Sequence, residues 1–173
     1  MNKMNNKGFS LVELIVVIAI MAVLMGVLAP TLIGNIEKSR ETKDLQAIDS
    51  VYQAVNHALS TEAGAKEAAG ANPISAMSLS DLMKSTNHTA IAAELKEELG
   101  NSAPTLSAAC NASAQIYVTV DATTLKAYVY CKDDKDDPTV CRKTKDSAGK
   151  FKNMEVGVKP SGAAGSSNDG SSN

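Results

Sequence analysis

The sequence predicts an α+β protein. A long N-terminal α-helix, transmembrane in its first half, packs through its second half against a small antiparallel β-sheet head. Three observations predict this. Twenty residues from Leu14 to Ile33 carry no charge. Apolar residues recur at spacings of three and four from Leu45 to Leu59. Two stretches between residues 115 and 131 alternate with period two.

The helix comes first. At 1.5 Å per residue the charge-free run Leu14–Ile33 reaches ~30 Å, the thickness of a bilayer core. Lys3 and Lys7 precede it and place the N-terminus on the cytoplasmic side. A secretory signal peptide has a shorter apolar region and a small-residue cleavage site. Here the Val27-Leu28-Ala29 stretch runs directly into Pro30. A plain anchor gives Glu13 no role, and a buried core helix is seldom this long without a charge. Pro30 removes a helical hydrogen bond and should kink the helix, with Gly26 and Gly34 weakening the same stretch. Beyond it, Leu45, Ile48, Tyr52, Val55 and Leu59 form one apolar stripe, and Arg40 with Asp44 makes an i,i+4 pair on the other face. Gly64 is the expected stop. A helix from residue 9 to about 62 would measure ~80 Å.

Glu13 is the informative residue of the apolar segment. A lone acid in a membrane helix costs roughly 2.5–3.5 kcal/mol at the bilayer centre and less near an interface, so it normally has a partner. A cut after Gly8 would give Phe9 a free α-amino group. That cation stands four residues before Glu13, on the same helix face. In a stack of identical helices it could equally meet the Glu13 of a neighbour.

The run Lys7-Gly8-Phe9-Ser10-Leu11-Val12-Glu13-Leu14 resembles the prepilin cleavage and methylation motif of type IV pilins and pseudopilins, with the short leader and first-residue Phe9 of the type IVa kind. The resemblance covers about 25 residues. It implies that a prepilin peptidase cuts the Gly8–Phe9 bond and N-methylates Phe9. It also implies that Glu13 registers an incoming subunit on a neighbour's Phe9 amine, and that Pro30 bends the helix. The partners implied are further copies of the chain in a helical filament, the peptidase, an assembly ATPase and an inner-membrane platform.

The head follows. Ser78-Leu79-Ser80-Asp81 resembles a capping box before Leu82-Met83. A second helix is expected from Thr89 to Leu99, ended by Gly100. Ile116, Val118 and Val120 form one face of a strand, and Leu125, Ala127, Val129 and Cys131 one face of the next. Asp121–Thr124 form the hairpin loop between them, and a third strand is expected near Met154–Val158. Residues 1–8 are thus a leader, 9–63 the long helix with 9–33 in the membrane or filament core, 64–158 the head, and 159–173 a flexible Gly/Ser/Asn-rich tail.

The chain has three cysteines, Cys110, Cys131 and Cys141, and no CxxC pair, which disfavours zinc. One disulfide plus one thiol is the simplest arithmetic, with Cys131–Cys141 favoured because it closes a short loop around the acidic stretch between them. Asp133, Asp134, Asp136 and Asp137 offer oxygen ligands for Ca²⁺, but Lys135 interrupts them and a solvated turn is the simpler reading. His57 and His88 have no ligand-spaced partner and read as surface or helix-face residues.

Formal net charge is −2, and about −4 once Lys3 and Lys7 leave with the leader. No basic patch points to nucleic acid. No nucleophile–base pair, phosphate loop or cofactor motif points to an enzyme. The expected product is a structural subunit of an extracellular type IV pilus, held in the cell membrane by a single span before assembly, for adhesion, motility or surface contact. The alternative is a pseudopilin of a type II secretion or competence system. The aromatic C-terminal calcium motif of major secretion pseudopilins contains Trp, which this chain lacks, and the head is larger than a competence pseudopilin usually needs.

Overall fold

A computed structural model describes residues 10–107, 114–132 and 153–160. The chain divides into two compact units, residues 1–37 and 38–173. Helix α1 (Leu11–Ser60) contributes to both.

In the first unit α1 is apolar nearly all round. Its large side chains from Leu11 to Ile36 are exposed. Among the described residues this is the one helix long and apolar enough to cross a membrane. Pro30 lies inside the helix. It has no N–H for the carbonyl of Gly26, and the Thr31 hydroxyl donates to the Leu28 carbonyl beside it at 2.8 Å.

In the second unit the remainder of α1 turns one stripe inward. Ile48, Val51, Ala54, Val55 and Ala58 are buried, with Leu45 and Tyr52 packed at the margin. The helix ends at Ser60, and Thr61 caps a new one, α2 (Glu62–Ala68), its side chain accepting from the Gly64 N–H at 3.1 Å. Gly64 is therefore inside α2 and does not stop α1. A Cβ there would stand 2.0 Å from the Ala58 carbonyl oxygen, so the glycine permits the close turn between the helices.

Strand β1 (Met77–Ser78) leads into α3 (Leu79–Met83), and Ser78 caps α3 as the capping-box pattern predicts, accepting from the Asp81 N–H at 3.1 Å. Helix α4 (Thr89–Leu99) buries Ile91 and Leu95 and ends at Gly100, with φ of 83°. Strands β2 (Gln115–Val120), β3 (Ala127–Lys132) and β4 (Glu155–Gly157) complete a four-stranded antiparallel sheet in the order β1-β2-β3-β4. Ile116, Val118, Val120, Ala127, Val129 and Cys131 share the core with the α1 stripe. This is the expected α+β architecture, and β4 falls inside the span predicted for a third strand.

Two details of the sheet differ from the expectation. Pairing ends at Val120 with Ala127, so the loop runs two residues past Thr124. Asp121 builds it: its Oδ1 accepts from the Thr123 and Thr124 N–H groups at 2.9 Å, and its carbonyl accepts from Leu125 at 2.7 Å. The bonds from Thr124 and Thr123 hold the Asp121 carboxyl below its usual range. Leu125 sits at φ of 53° and leaves the strand. The outer face of β3 is also buried. Tyr128 and Tyr130 stack at 4.9 Å, and Tyr130 stacks on Tyr117 across the ladder at 6.0 Å.

Candidate functional site

The site singled out by the sequence is the start of α1. Ser10 stands just before the helix and Glu13 is its third residue. The Glu13 Oε2 accepts from the Ser10 N–H at 2.9 Å, while the Leu14 N–H donates to the Ser10 carbonyl at 3.3 Å. The carboxylate thus reaches back over the first turn and satisfies one of the donors that a helix N-terminus leaves open, as in the second half of a capping box. The positive end of the helix dipole favours an acid here. Ser10-x-x-Glu13 carries the signature of that arrangement, which the sequence reading passed over in favour of the Phe9 amine. Gly8 and Phe9 lie outside the described residues, so the Phe9–Glu13 pair stays an expectation. The segment that follows supplies no further charge until Glu37.

Leaving such a helix in water is prohibitive. Each large side chain from Leu11 to Ile36 would gain about 1.5–3 kcal/mol on full burial. A handful of them exceeds the ~5–15 kcal/mol that holds a typical domain together. The segment therefore needs lipid or other apolar helices around it.

The predicted polar residues of the head fall differently. Asp44 does not pair with Arg40 on an outer face. It is buried, and its Oδ1 accepts from the Ser107 N–H at 2.5 Å, while the Ser107 hydroxyl donates to the Arg40 carbonyl at 3.3 Å. The other oxygen, Oδ2, has no hydrogen-bond partner among the described residues. His88, expected at a surface or helix face, is buried between loops. Its Nε2 faces the Asn72 carbonyl at 2.8 Å and must carry the proton, since a carbonyl only accepts, and Nδ1 faces the Ser85 hydroxyl at 3.1 Å. His57 is on an exposed helix face, 2.7 Å from Glu98 and 3.8 Å from Glu94.

Glu67 was not singled out by the sequence. Its carboxylate caps α4 from outside, accepting from Thr89 Oγ1 at 3.1 Å, Ala90 N–H at 2.9 Å and Ile91 N–H at 3.1 Å. His88, at the cap position itself, makes no side-chain cap bond. Burial pushes the Glu67 carboxyl up, but the bonds from Ala90, Ile91 and Thr89 together outweigh it and hold the group below its usual range.

Cys131 is buried in the core. Cys110 and Cys141 lie outside the described residues, as do Asp133, Asp134, Asp136 and Asp137 and most of the tail, so neither the disulfide nor the calcium expectation meets the structure. Among the described residues no three His, Cys, Asp or Glu side chains gather as metal ligands. Among the described residues, a shallow cleft bordered by Leu79, Thr105, Leu106 and Ile116 holds no charged group or histidine.

Residues 3–29 match the family model described as the prokaryotic N-terminal methylation motif. The match spans the Lys7–Leu14 run, most of the apolar segment and Glu13. No curated protein and no solved structure matches the chain at a significant level. The motif supports a precursor of the type IV pilin and pseudopilin kind, and with the exposed apolar helix it fits membrane anchoring and processing by a prepilin peptidase.

Proposed function

From a chain that carries the prokaryotic N-terminal methylation motif at residues 3–29, we propose that this precursor is a structural subunit of an extracellular type IV pilus. Residues 1–8 are the leader. The peptidase cuts after Gly8 on the cytoplasmic side and N-methylates Phe9. The subunit waits in the cell membrane through residues 9–33, bent at Pro30. An ATP-driven platform then moves it into a helical filament of further copies.

One observation carries this reading. Within the motif, a single carboxylate stands at the third residue of an apolar helix whose large side chains are exposed. In the precursor Glu13 has the Ser10 N–H. After cleavage the new α-amino group adds a full positive charge one turn away. Two unit charges 4 Å apart interact by about 4 kcal/mol at an effective dielectric of 20, against about 1 kcal/mol in water. In a filament core the amine of a neighbour is thus worth far more to Glu13 than in an aqueous setting. Burial among like helices also replaces lipid around Leu11–Ile36. The lack of Trp, and a head larger than a competence pseudopilin usually needs, support the pilus reading over a secretion or competence pseudopilin.

Glu13→Ala tests the role. Cleavage after Gly8 should persist while sheared surface filaments disappear from electron micrographs. Normal filaments from that strain would refute the register role. Wild-type cells that make only a short envelope-bound structure would favour the pseudopilin.

A further inference from the structure

Where α1 enters the head, its acids turn inward and its bases outward. Between residues 38 and 44 acids and bases stand at helix-pairing distances, Lys38 with Glu41 and Arg40 with Asp44. The structure turns Glu41 and Asp44 inward, where both are buried. Lys38, Arg40 and Lys43 are left exposed, and none forms an ion pair among the described residues. Helix α4 shows the opposite sign. Glu97 and Glu98 are exposed, Glu94 is half-buried beside them, and Lys96 is the one base on the helix.

These two patches cannot neutralise each other within one chain. Glu98 lies 2.7 Å from His57, which fixes the acidic patch beside that point of α1. Lys43 is fourteen residues earlier on the same helix, about 21 Å along its axis, and Lys38 about 28 Å. At physiological salt the Debye length is ~8 Å, so attraction across that gap is screened. Complementary patches displaced along one axis can meet only between copies. The contact they make is head-to-tail, the type that propagates into an open filament when it does not close.

We propose that the basic collar Lys38–Arg40–Lys43 of one copy docks the acidic face Glu94–Glu97–Glu98 of α4 on another. The collar thereby sets the polarity and axial offset of neighbouring heads. This rests on the filament reading and adds to it a second, electrostatic contact outside the apolar core.

Charge reversal on the full chain, expressed in the pilus-forming cell, tests it. Filament yield is read after shearing, by electron microscopy and by quantifying the subunit. Lys38→Glu with Arg40→Glu and Lys43→Glu should cut yield at least tenfold, and so should Glu94→Lys with Glu97→Lys and Glu98→Lys. The six changes together should restore yield to within about threefold of wild type. Tyrosine fluorescence melts of each purified variant check that the head folds. If the reversed α4 does not fold, the set Glu94→Gln, Glu97→Gln and Glu98→Gln replaces it; wild-type filaments should lose subunits as salt is raised, and filaments of this set should not respond to salt. Unchanged yield after either reversal, unchanged salt sensitivity after the Gln set, or no recovery in the combined variant would overturn the proposal. That last outcome would assign the collar to another occupant such as lipid headgroups. Absence of filaments from wild-type cells would instead overturn the filament reading beneath it.

Discussion

Replacing Glu67 by Ala should destabilise the head by about 2 kcal/mol at pH 7. The carboxylate is the external cap of α4, holding the Ala90 and Ile91 N–H groups and the Thr89 hydroxyl at 2.9–3.1 Å. Losing a capping side chain costs ~0.5–2 kcal/mol. A hydrogen bond to a charged group contributes ~1.5–3 kcal/mol, but these donors are only partly buried, so water recovers some of the loss. Glu67→Gln keeps an acceptor oxygen and gives up the charge at the helix N-terminus, ~0.3–1 kcal/mol.

The pH dependence follows from the direction of the shift. The folded carboxyl lies below its usual range, so its contribution is complete above the unfolded value of about 4.3 and is lost as pH falls through the folded value. The gap between wild type and Glu67→Gln should therefore narrow from pH 7 towards pH 3. All four tyrosines, Tyr52, Tyr117, Tyr128 and Tyr130, lie beyond residue 38 and there is no Trp. Tyrosine fluorescence during urea unfolding of the detergent-solubilised chain thus reports the head without the apolar segment. With a urea slope of ~1–2 kcal/mol/M, the expected midpoint shift for Glu67→Ala is ~1–2 M. A shift under about 0.3 M, or a Glu67→Gln gap that persists unchanged to pH 3, would refute the reasoning.

The same melt serves three further substitutions. Gly64→Ala should cost more than about 3 kcal/mol, because its Cβ would stand 2.0 Å from a backbone oxygen that cannot step aside; a loss under 1 kcal/mol contradicts the tight turn. Gly157→Ala meets the Ala127 oxygen at 2.3 Å and Tyr52 Cε2 at 2.8 Å, at φ of 103°, so a comparable loss should appear together with altered tyrosine fluorescence. Asp44→Ala leaves the Ser107 N–H without its acceptor and should cost ~1–3 kcal/mol, while Asp44→Asn, which keeps an oxygen for that bond, should be within about 1 kcal/mol of wild type.

What could be read from the sequence was local and periodic. The charge-free run, the stripe Ile48–Val55–Leu59, the alternation of Ile116–Val120 and the Ser78 cap all follow from spacing within a few residues, and each recurs in the structure. The departures come from partners far away in the chain. Arg40 and Asp44 have ideal spacing for a surface pair, yet a backbone N–H 63 residues on takes the carboxylate inward. Glu67 gives no signal because the helix it caps begins 22 residues later. His88 reads as a lone polar residue until Asn72 and Ser85 close around it. Strand β1, two residues long, has no period to detect. Tyr128 and Tyr130 alternate correctly with the core face of β3, but period two cannot announce that the other face is buried as well. At the candidate site the balance differs. Ser10-x-x-Glu13 was present in the sequence with a physical meaning of its own, and the structure adds that Glu13 already has a partner within the first turn of the helix. On the proposed reading, a cut after Gly8 would offer this carboxylate a stronger partner, not its first.

That cut is the claim on which the filament account depends, and the mass of the N-terminal peptide tests it most directly. Subunit purified from the membranes of cells with an active peptidase should begin at Phe9 and carry one added methyl on its amine. A chain that still begins at Met1, or one that starts after Ala29, would contradict the account.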